Sequence, residues 1–186
     1  MPENWTVGAI SRAMLPVLLP LTVVEVGSGL VLGTFEADLY AHPSLLVLVP
    51  VTIGMAGNLG SILASRLSTA FHLGTLSFDP RDDDLAGNAL ATMALALTLF
   101  PLAGVGAWAI KAVTGTTDLG VVTVVLVSLT SGAALALLAI AVTLVSTYAA
   151  YHLELDPDDV VIPVVTNTCD VLGVVILYAV VQVLVP

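Results

Sequence analysis

One carboxylate lies in the middle of a long apolar segment near the end of the chain. Asp170 is the only charged residue between Asp159 and Pro186. A carboxylate at the centre of a bilayer costs at least ~2.5–3.5 kcal/mol when it faces lipid, so this side chain must face protein or water. Two interpretations follow: a group on an ion path, or a buried, protonated acid bonded to a neighbouring helix.

Helical spacing places other polar and small residues on the face of this carboxylate. The face comprises Pro163, Thr166, Asn167, Asp170 and Gly173. Cys169, the single cysteine, points away from it. Carboxylate, amide and hydroxyl oxygens are the ligands that hard cations prefer. The predicted metal ligands are therefore Asp170, Asn167 and Thr166.

The number of carboxylates on this face indicates which cation it suits. One aspartate per chain is too few for a cage that holds a dehydrated ion. Mg²⁺ gives up its water reluctantly and is usually held through one or two carboxylates with several waters kept. Two chains around a two-fold axis would bring two copies of Asp170 together around such an ion. Mg²⁺ is thus the predicted transported ion, with Mn²⁺ and Co²⁺ as alternatives.

A second motif, AGNLGSILASRLST, lies in an earlier apolar segment. Its small and polar residues recur at helical spacing: Gly54, Gly57, Asn58, Ser61, Ser65 and Ser68. Such a stripe is typical of a face that packs closely against another helix. The alternative is a locally weakened helix that frees carbonyl groups, which is tolerated at membrane depth only where it lines a cavity.

The two motifs together resemble the signatures of the MgtE family of magnesium channels and of solute carrier family 41. The first signature has a Gly-Asn-x-Gly core, found here as Gly57-Asn58-Leu59-Gly60. The second, in LDPDDVVIPVVTNTCDVLG, has Asp-Pro followed by a proline, a threonine-rich step, an aspartate and a glycine. The resemblance covers nearly the whole chain.

This resemblance implies a homodimer with a pore on the two-fold axis. The pore would be lined by the second and fifth spanning helices, with Gly57, Asn58, Gly60, Ser61, Pro163 and Gly173 around Asp170. The sequence departs from bacterial members, having Ala56 and Ser61–Ile62 where they usually have Gly and Gln. No segment resembles their cytosolic N-domain or CBS pair, which leaves open a separate regulatory subunit.

The composition of the chain indicates that these residues are positioned by membrane-spanning helices. The chain has 186 residues, of which 58% are hydrophobic and only 10% charged, whereas soluble domains average about 25% charged. Residues 85–110 and 119–150 contain no Asp, Glu, Lys, Arg or His, and each exceeds the ~20 residues that span a bilayer. The prediction is a single all-α membrane domain over 1–186 with five transmembrane helices, at about 11–35, 43–72, 85–112, 119–151 and 157–184.

Charge indicates the orientation and the partners. We expect a multi-pass protein of the cell membrane with its N-terminus in the cytoplasm and its C-terminus outside. In this orientation three of the four basic residues lie on the cytoplasmic side, where basic residues are enriched: Arg12, Arg66 and Arg81. The net charge of −10 disfavours nucleic acid and leaves membrane lipid and cations as partners. This acidity is also typical of an archaeal or halophilic host. The predicted vestibule acids are Glu25, Glu36, Asp156, Asp158 and Asp159.

A competing interpretation is an enzyme. The aspartate-rich segments 79–84 and 156–159 resemble the pairs with which membrane prenyltransferases hold Mg²⁺–diphosphate. Such enzymes also need basic residues to hold the diphosphate, and only Arg81 is nearby. We therefore favour transport over catalysis.

Overall fold

The chain folds entirely into helices. The computed structural model describes residues 6–75, 78 and 82–185. Within them the helices are α1 (Val7–Thr34), α2 (Glu36–Ala41), α3 (Pro43–His72), α4 (Asp83–Val113), α5 (Val121–His152) and α6 (Pro157–Leu184). All but α2 are long and apolar enough to cross a membrane, which confirms the predicted five spanning helices.

Side-chain caps mark the start of three of the six described helices. Asp82 and Asp156 precede α4 and α6, and each side chain accepts hydrogen bonds from backbone N–H groups of the first turn. Pro43 and Pro157 begin α3 and α6 as predicted. α1 begins at Val7 rather than near residue 11, because Thr6 Oγ1 accepts a bond from the N–H of Ala9 at 3.2 Å.

The short helix α2 is absent from the predicted elements. It follows a turn at Phe35, where α1 ends. The ring of Phe35 stacks on that of Tyr178 in α6, with centroids 3.5 Å apart. The chain therefore turns over the end of α6 before α3 begins.

Asp118, in the connection between α4 and α5, fixes the start of α3. Its Oδ1 accepts hydrogen bonds from the N–H and the hydroxyl of Ser44, at 3.3 and 2.7 Å. Its Oδ2 lies 3.2 Å from Nδ1 of His42. One carboxylate thus satisfies donors that the first turn of a helix leaves without intrahelical partners.

The core of the molecule is a four-helix layer in which α5 contacts α3, α4 and α6. Leu135, Ala136 and Ala139 of α5 are fully buried in it. α1 lies outside this layer: among the described helices it contacts only α6 and α2, and none of its described residues is buried. The face of α6 towards α1 is therefore covered by a helix that makes few other contacts.

Candidate functional site

Asp170 lies at the midpoint of α6. Asp170 lies thirteen positions after Pro157 and fourteen positions before Leu184. At 1.5 Å rise per residue, the carboxylate is about 20 Å from either end of the helix. Its side chain is half-buried in the single chain. The only carboxylate that follows Asp159 in the chain thus lies at the middle of a membrane-length helix and is half-buried.

The glycine motif of α3 lies beside this carboxylate. A Cβ built on Gly57 would lie 3.8 Å from Oδ1 of Asp170 and 3.7 Å from Cγ2 of Thr166. Gly57 is itself buried, and a methyl group there would be in ordinary van der Waals contact with both groups. The two sequence motifs meet at this point, one on α3 and one on α6.

The backbone of α3 is continuous through the motif. Residues 54–60 are α-helical, so the alternative of a locally unwound segment is wrong. Gly54 and Asn58 flank Gly57 and are exposed in the chain. Ser61 is half-buried and its hydroxyl donates to the carbonyl of Gly57 at 2.8 Å. The exposed side of α3 next to the buried Gly57 therefore presents Gly54 and the amide of Asn58.

Two further glycines that were predicted to line the path, Gly60 and Gly173, make close contacts with neighbouring helices. Gly60 is buried against Val165 and Ala139, and a Cβ there would overlap the side chain of Val165. Gly173 is buried against Ile53 and Leu135. Both positions lie in close packing between helices of one chain, and their place along the path stays a prediction. Helical spacing alone missed these contacts because α6 has neighbours on more than one side.

Asn167 connects α6 to α1. Its side chain is only 5% exposed, and its Nδ2 donates to the carbonyl oxygen of Leu21 at 3.1 Å. It was predicted as a metal ligand, and the structure gives its amide nitrogen a protein partner 146 residues away in the chain. Nothing in the local sequence indicated that partner.

Glu25 of α1 brings a second carboxylate towards Asp170. A cleft of about 270 Å³ between α1 and α6 has Thr22, Glu25, Thr166 and Asn167 among its lining residues. Thr166 thus borders both this cleft and the space beside Gly57. The side chain of Glu25, for which the sequence offered no partner, is exposed.

The remaining residues of the α6 motif have local roles. Cys169 is fully buried in the core, as expected from its place off the polar face. Pro163 is half-buried and lines the cleft beside α1. The hydroxyl of Thr166 donates to carbonyl groups of its own helix, at Ile162 and Pro163.

The predicted vestibule acids occupy three levels of the molecule. Glu36 lies on α2, at the end where α6 finishes, and Asp156, Asp158 and Asp159 lie where α6 begins. Glu25 lies between them on α1. Asp156 caps α6 by accepting the N–H of Asp158 at 3.0 Å.

Each of the two aspartate-rich segments contains one residue that caps a helix. Residues 79–81 lie outside the described part of the chain. Oδ1 of Asp82 accepts from the N–H groups of Asp84 and Leu85, at 2.9 and 3.1 Å. Capping by Asp82 and Asp156 accounts for an acid at each of these positions without a diphosphate.

Five membrane-length helices, one of them with a half-buried carboxylate at its middle, define a multi-pass membrane protein. The family model for MgtE, described as a divalent cation transporter, matches residues 49–180. This match covers more than half of the chain, so the chain belongs to the MgtE family. The search of curated proteins and the search of solved structures gave no match.

Membership of this family decides between the two functional interpretations of the sequence. The family is one of divalent cation transporters and not of enzymes. The matched range includes Gly57 on α3 and Asp170 on α6, so both motifs fall within it. The protein is a divalent cation transporter of the membrane, and the prenyltransferase interpretation is not favoured.

Proposed function

We propose that this protein carries Mg²⁺ across the membrane along a path between α3 and α6, with Asp170 as its ion-binding group. The observation that carries this proposal is the position of Asp170, half-open at the midpoint of α6 beside the bare backbone of Gly57. Facing lipid would be costly for this carboxylate, so its open side is best matched by water and an ion.

The path is completed by a second copy of the chain. A single Asp170 supplies one negative charge, whereas two copies across a two-fold axis neutralise one divalent ion. Asn58 and Gly54, which are exposed on α3, then face the same axis. A monovalent ion would leave one carboxylate uncompensated, which gives the site its preference for divalent ions.

The ion is held mainly through its own water. Mg²⁺ favours octahedral coordination and keeps several waters when one or two carboxylates bind it. At Gly57 the absence of a side chain keeps Oδ1 of Asp170 free of the methyl contact that any other residue would make there. Mn²⁺ and Co²⁺ are also accepted by oxygen ligands, so the selectivity among divalent ions is expected to be modest.

The membrane potential can drive this transport. It contributes about 2.3 kcal/mol per charge per 100 mV, and therefore about 4.6 kcal/mol for a divalent ion. The proposed orientation places the N-terminus in the cytoplasm, with Arg12 and Arg66 on that side. The start of α6, with its acids Asp158 and Asp159, then faces the cytoplasm, and Glu36 faces outside.

The test is the variant Asp170→Asn, which keeps the shape of the side chain and removes its charge. We expect Mg²⁺ uptake into proteoliposomes to fall to the level of protein-free liposomes. The matched control is Thr168→Val on the same helix, whose lost hydroxyl bonds only to the carbonyl of Val164. Helical circular dichroism and a light-scattering mass of two 19.0 kDa chains should be unchanged in both variants. Normal uptake by a folded Asp170→Asn dimer would show that Asp170 is a structural acid.

A further inference from the structure

We propose that His72, Asp156 and Asp158 form a second metal site, which binds a first-row transition-metal dication of the Mn²⁺, Co²⁺ or Zn²⁺ class. The three residues come from two helices: His72 ends α3, and Asp156 and Asp158 begin α6. One ligand atom from each lies within 4.8 Å of the others, and all three residues are exposed.

The histidine is held in the form that binds metals. Its Nδ1 lies 2.9 Å from the carbonyl oxygen of Ser68, which can only accept a hydrogen bond. The ring proton of neutral His72 is therefore on Nδ1, and the lone pair is on Nε2. Metal-binding histidines almost always donate their second ring nitrogen to such a partner. Here the backbone of α3 supplies it.

The free nitrogen points towards the carboxylates. Nε2 of His72 lies 3.8 Å from Oδ1 of Asp156. Ligand atoms that share a metal at about 2.1 Å in tetrahedral geometry lie about 3.4 Å apart. The cluster must therefore contract by less than about 1.5 Å, which exposed side chains achieve by small rotations. Water would fill the remaining coordination positions.

The local charge favours a cation, although the start of a helix carries a positive partial charge that would oppose one. The first turn of α6 contributes about half a positive charge, whereas Asp156 and Asp158 contribute two full negative charges. Asp156 also caps the helix by accepting the N–H of Asp158 at 3.0 Å, and a carboxylate has further lone pairs for a metal. The net local charge therefore remains negative.

The ligand set distinguishes this site from the site proposed at Asp170. Imidazole suits Zn²⁺ and other first-row transition metals, whereas Mg²⁺ prefers oxygen and water. The Asp170 site offers only oxygen atoms. A transition metal at His72 would also connect the ends of α3 and α6, the two helices proposed to line the path.

The proposal is tested by measuring Co²⁺ binding in the presence of excess Mg²⁺. The protein used is the full chain with the substitution Asp170→Asn. The Asp170→Asn background removes the proposed transport site, so the measurement does not depend on the proposed function. We expect one Co²⁺ per chain, with a visible absorption spectrum that reports a nitrogen ligand. Co²⁺ should also raise the midpoint of thermal unfolding, because it binds only the folded state.

Two variants and one control assign the ligands. His72→Ala and Asp158→Asn should each weaken Co²⁺ binding by at least about 10-fold, since even changes to partners of metal ligands cost 10–100-fold. Asp158→Asn leaves the cap at Asp156 intact and covers the case in which His72→Ala does not fold. The control His152→Ala removes an exposed histidine at the same end of the molecule, on α5, and should change nothing. Equal affinity in His72→Ala and its parent, or no saturable binding by the parent, would overturn the proposal.

Discussion

The contact between α4 and α5 and the contact between α3 and α6 both use glycine, but for different purposes. In the first, a Cβ on Gly132 would overlap the ring of Phe100, and one on Gly104 would lie 2.9 Å from Cα of Val125. In the second, a Cβ on Gly57 would lie at ordinary contact distances from Thr166 and Asp170. Glycine is thus a steric requirement at the first contact, whereas the second contact has room for a methyl group.

The polar groups of the two contacts differ in the same way. Between α4 and α5 the hydroxyl of Ser128 donates to the carbonyl of Phe100 at 2.6 Å, and neither residues 85–110 nor residues 119–150 carry a charge. Beside Gly57 the neighbouring group is the half-buried carboxylate of Asp170. The polar group at the first contact is a neutral hydroxyl with a partner in the protein, whereas the one at the second is a carboxylate that is only half-buried. A small-residue stripe in a membrane helix can therefore indicate either purpose.

The largest expected effect is that of Gly132→Ala. The added methyl group overlaps the ring of Phe100, and overpacking of a core costs about 1–3 kcal/mol, occasionally more. We expect the upper end of this range, measured as a lower midpoint of thermal unfolding and a lower yield of monodisperse protein. Phe100→Leu in the same chain should restore part of the loss. Gly106→Ala, with no atom within 4 Å of its new methyl group, is the control. Equal stability of the two alanine variants would contradict the steric assignment.

Gly57→Ala should separate transport from folding. Its methyl group meets no close contact, and alanine is favoured over glycine in a helix by roughly 0.5–1 kcal/mol, so the unfolding midpoint should hold or rise. The same group occupies the space beside Oδ1 of Asp170 that the waters of the ion need. We expect Mg²⁺ uptake to fall about 10-fold, which corresponds to about 1.4 kcal/mol in the barrier. Unchanged uptake would mean that the ion does not pass beside Gly57.

The smallest expected effect is that of Asn167→Ala. This change removes the hydrogen bond to the carbonyl of Leu21, and such bonds between membrane helices average about 0.6 kcal/mol, with about 1.7 as a maximum. We expect a small fall in the unfolding midpoint and faster protease cleavage near the ends of α1, while uptake stays well above that of Asp170→Asn. Loss of uptake at unchanged stability would instead make Asn167 an ion ligand and extend the open contact towards α1.

The sequence predicted the helices well because their causes are local. The length of the apolar segments gave five spanning helices, and the predicted starts at residues 43 and 157 are those that the structure has. α2 escaped prediction because a helix of six residues has no periodicity to detect. Its position depends on the stacking of Phe35 on Tyr178, which are far apart in the chain.

The sequence predicted the candidate site less completely. A charge in an apolar segment singled out Asp170, because the energetic cost of such a charge is independent of the fold. The roles of Gly60, Gly173 and Asn167 depended on which helix lies against each side of α6, and one-dimensional spacing contains no such information. The hydrogen bond between Asn167 and Leu21 crosses 146 residues. The same limit hid the approach of His72 to Asp156.

The sequence by itself determined that the protein lies in a membrane, how many times it spans it, and which carboxylate lies at mid-depth, since hydropathy and the cost of a buried charge act residue by residue. Only the tertiary structure decided which small residues pack and which leave space. It placed Gly60 under Val165 and Gly57 beside Asp170, although the two glycines are three residues apart. The reason is geometric: three residues rotate a helix by about 300°, which leaves the two glycines only about 60° apart around its axis, and the neighbour found at each angle is set by how whole helices pack.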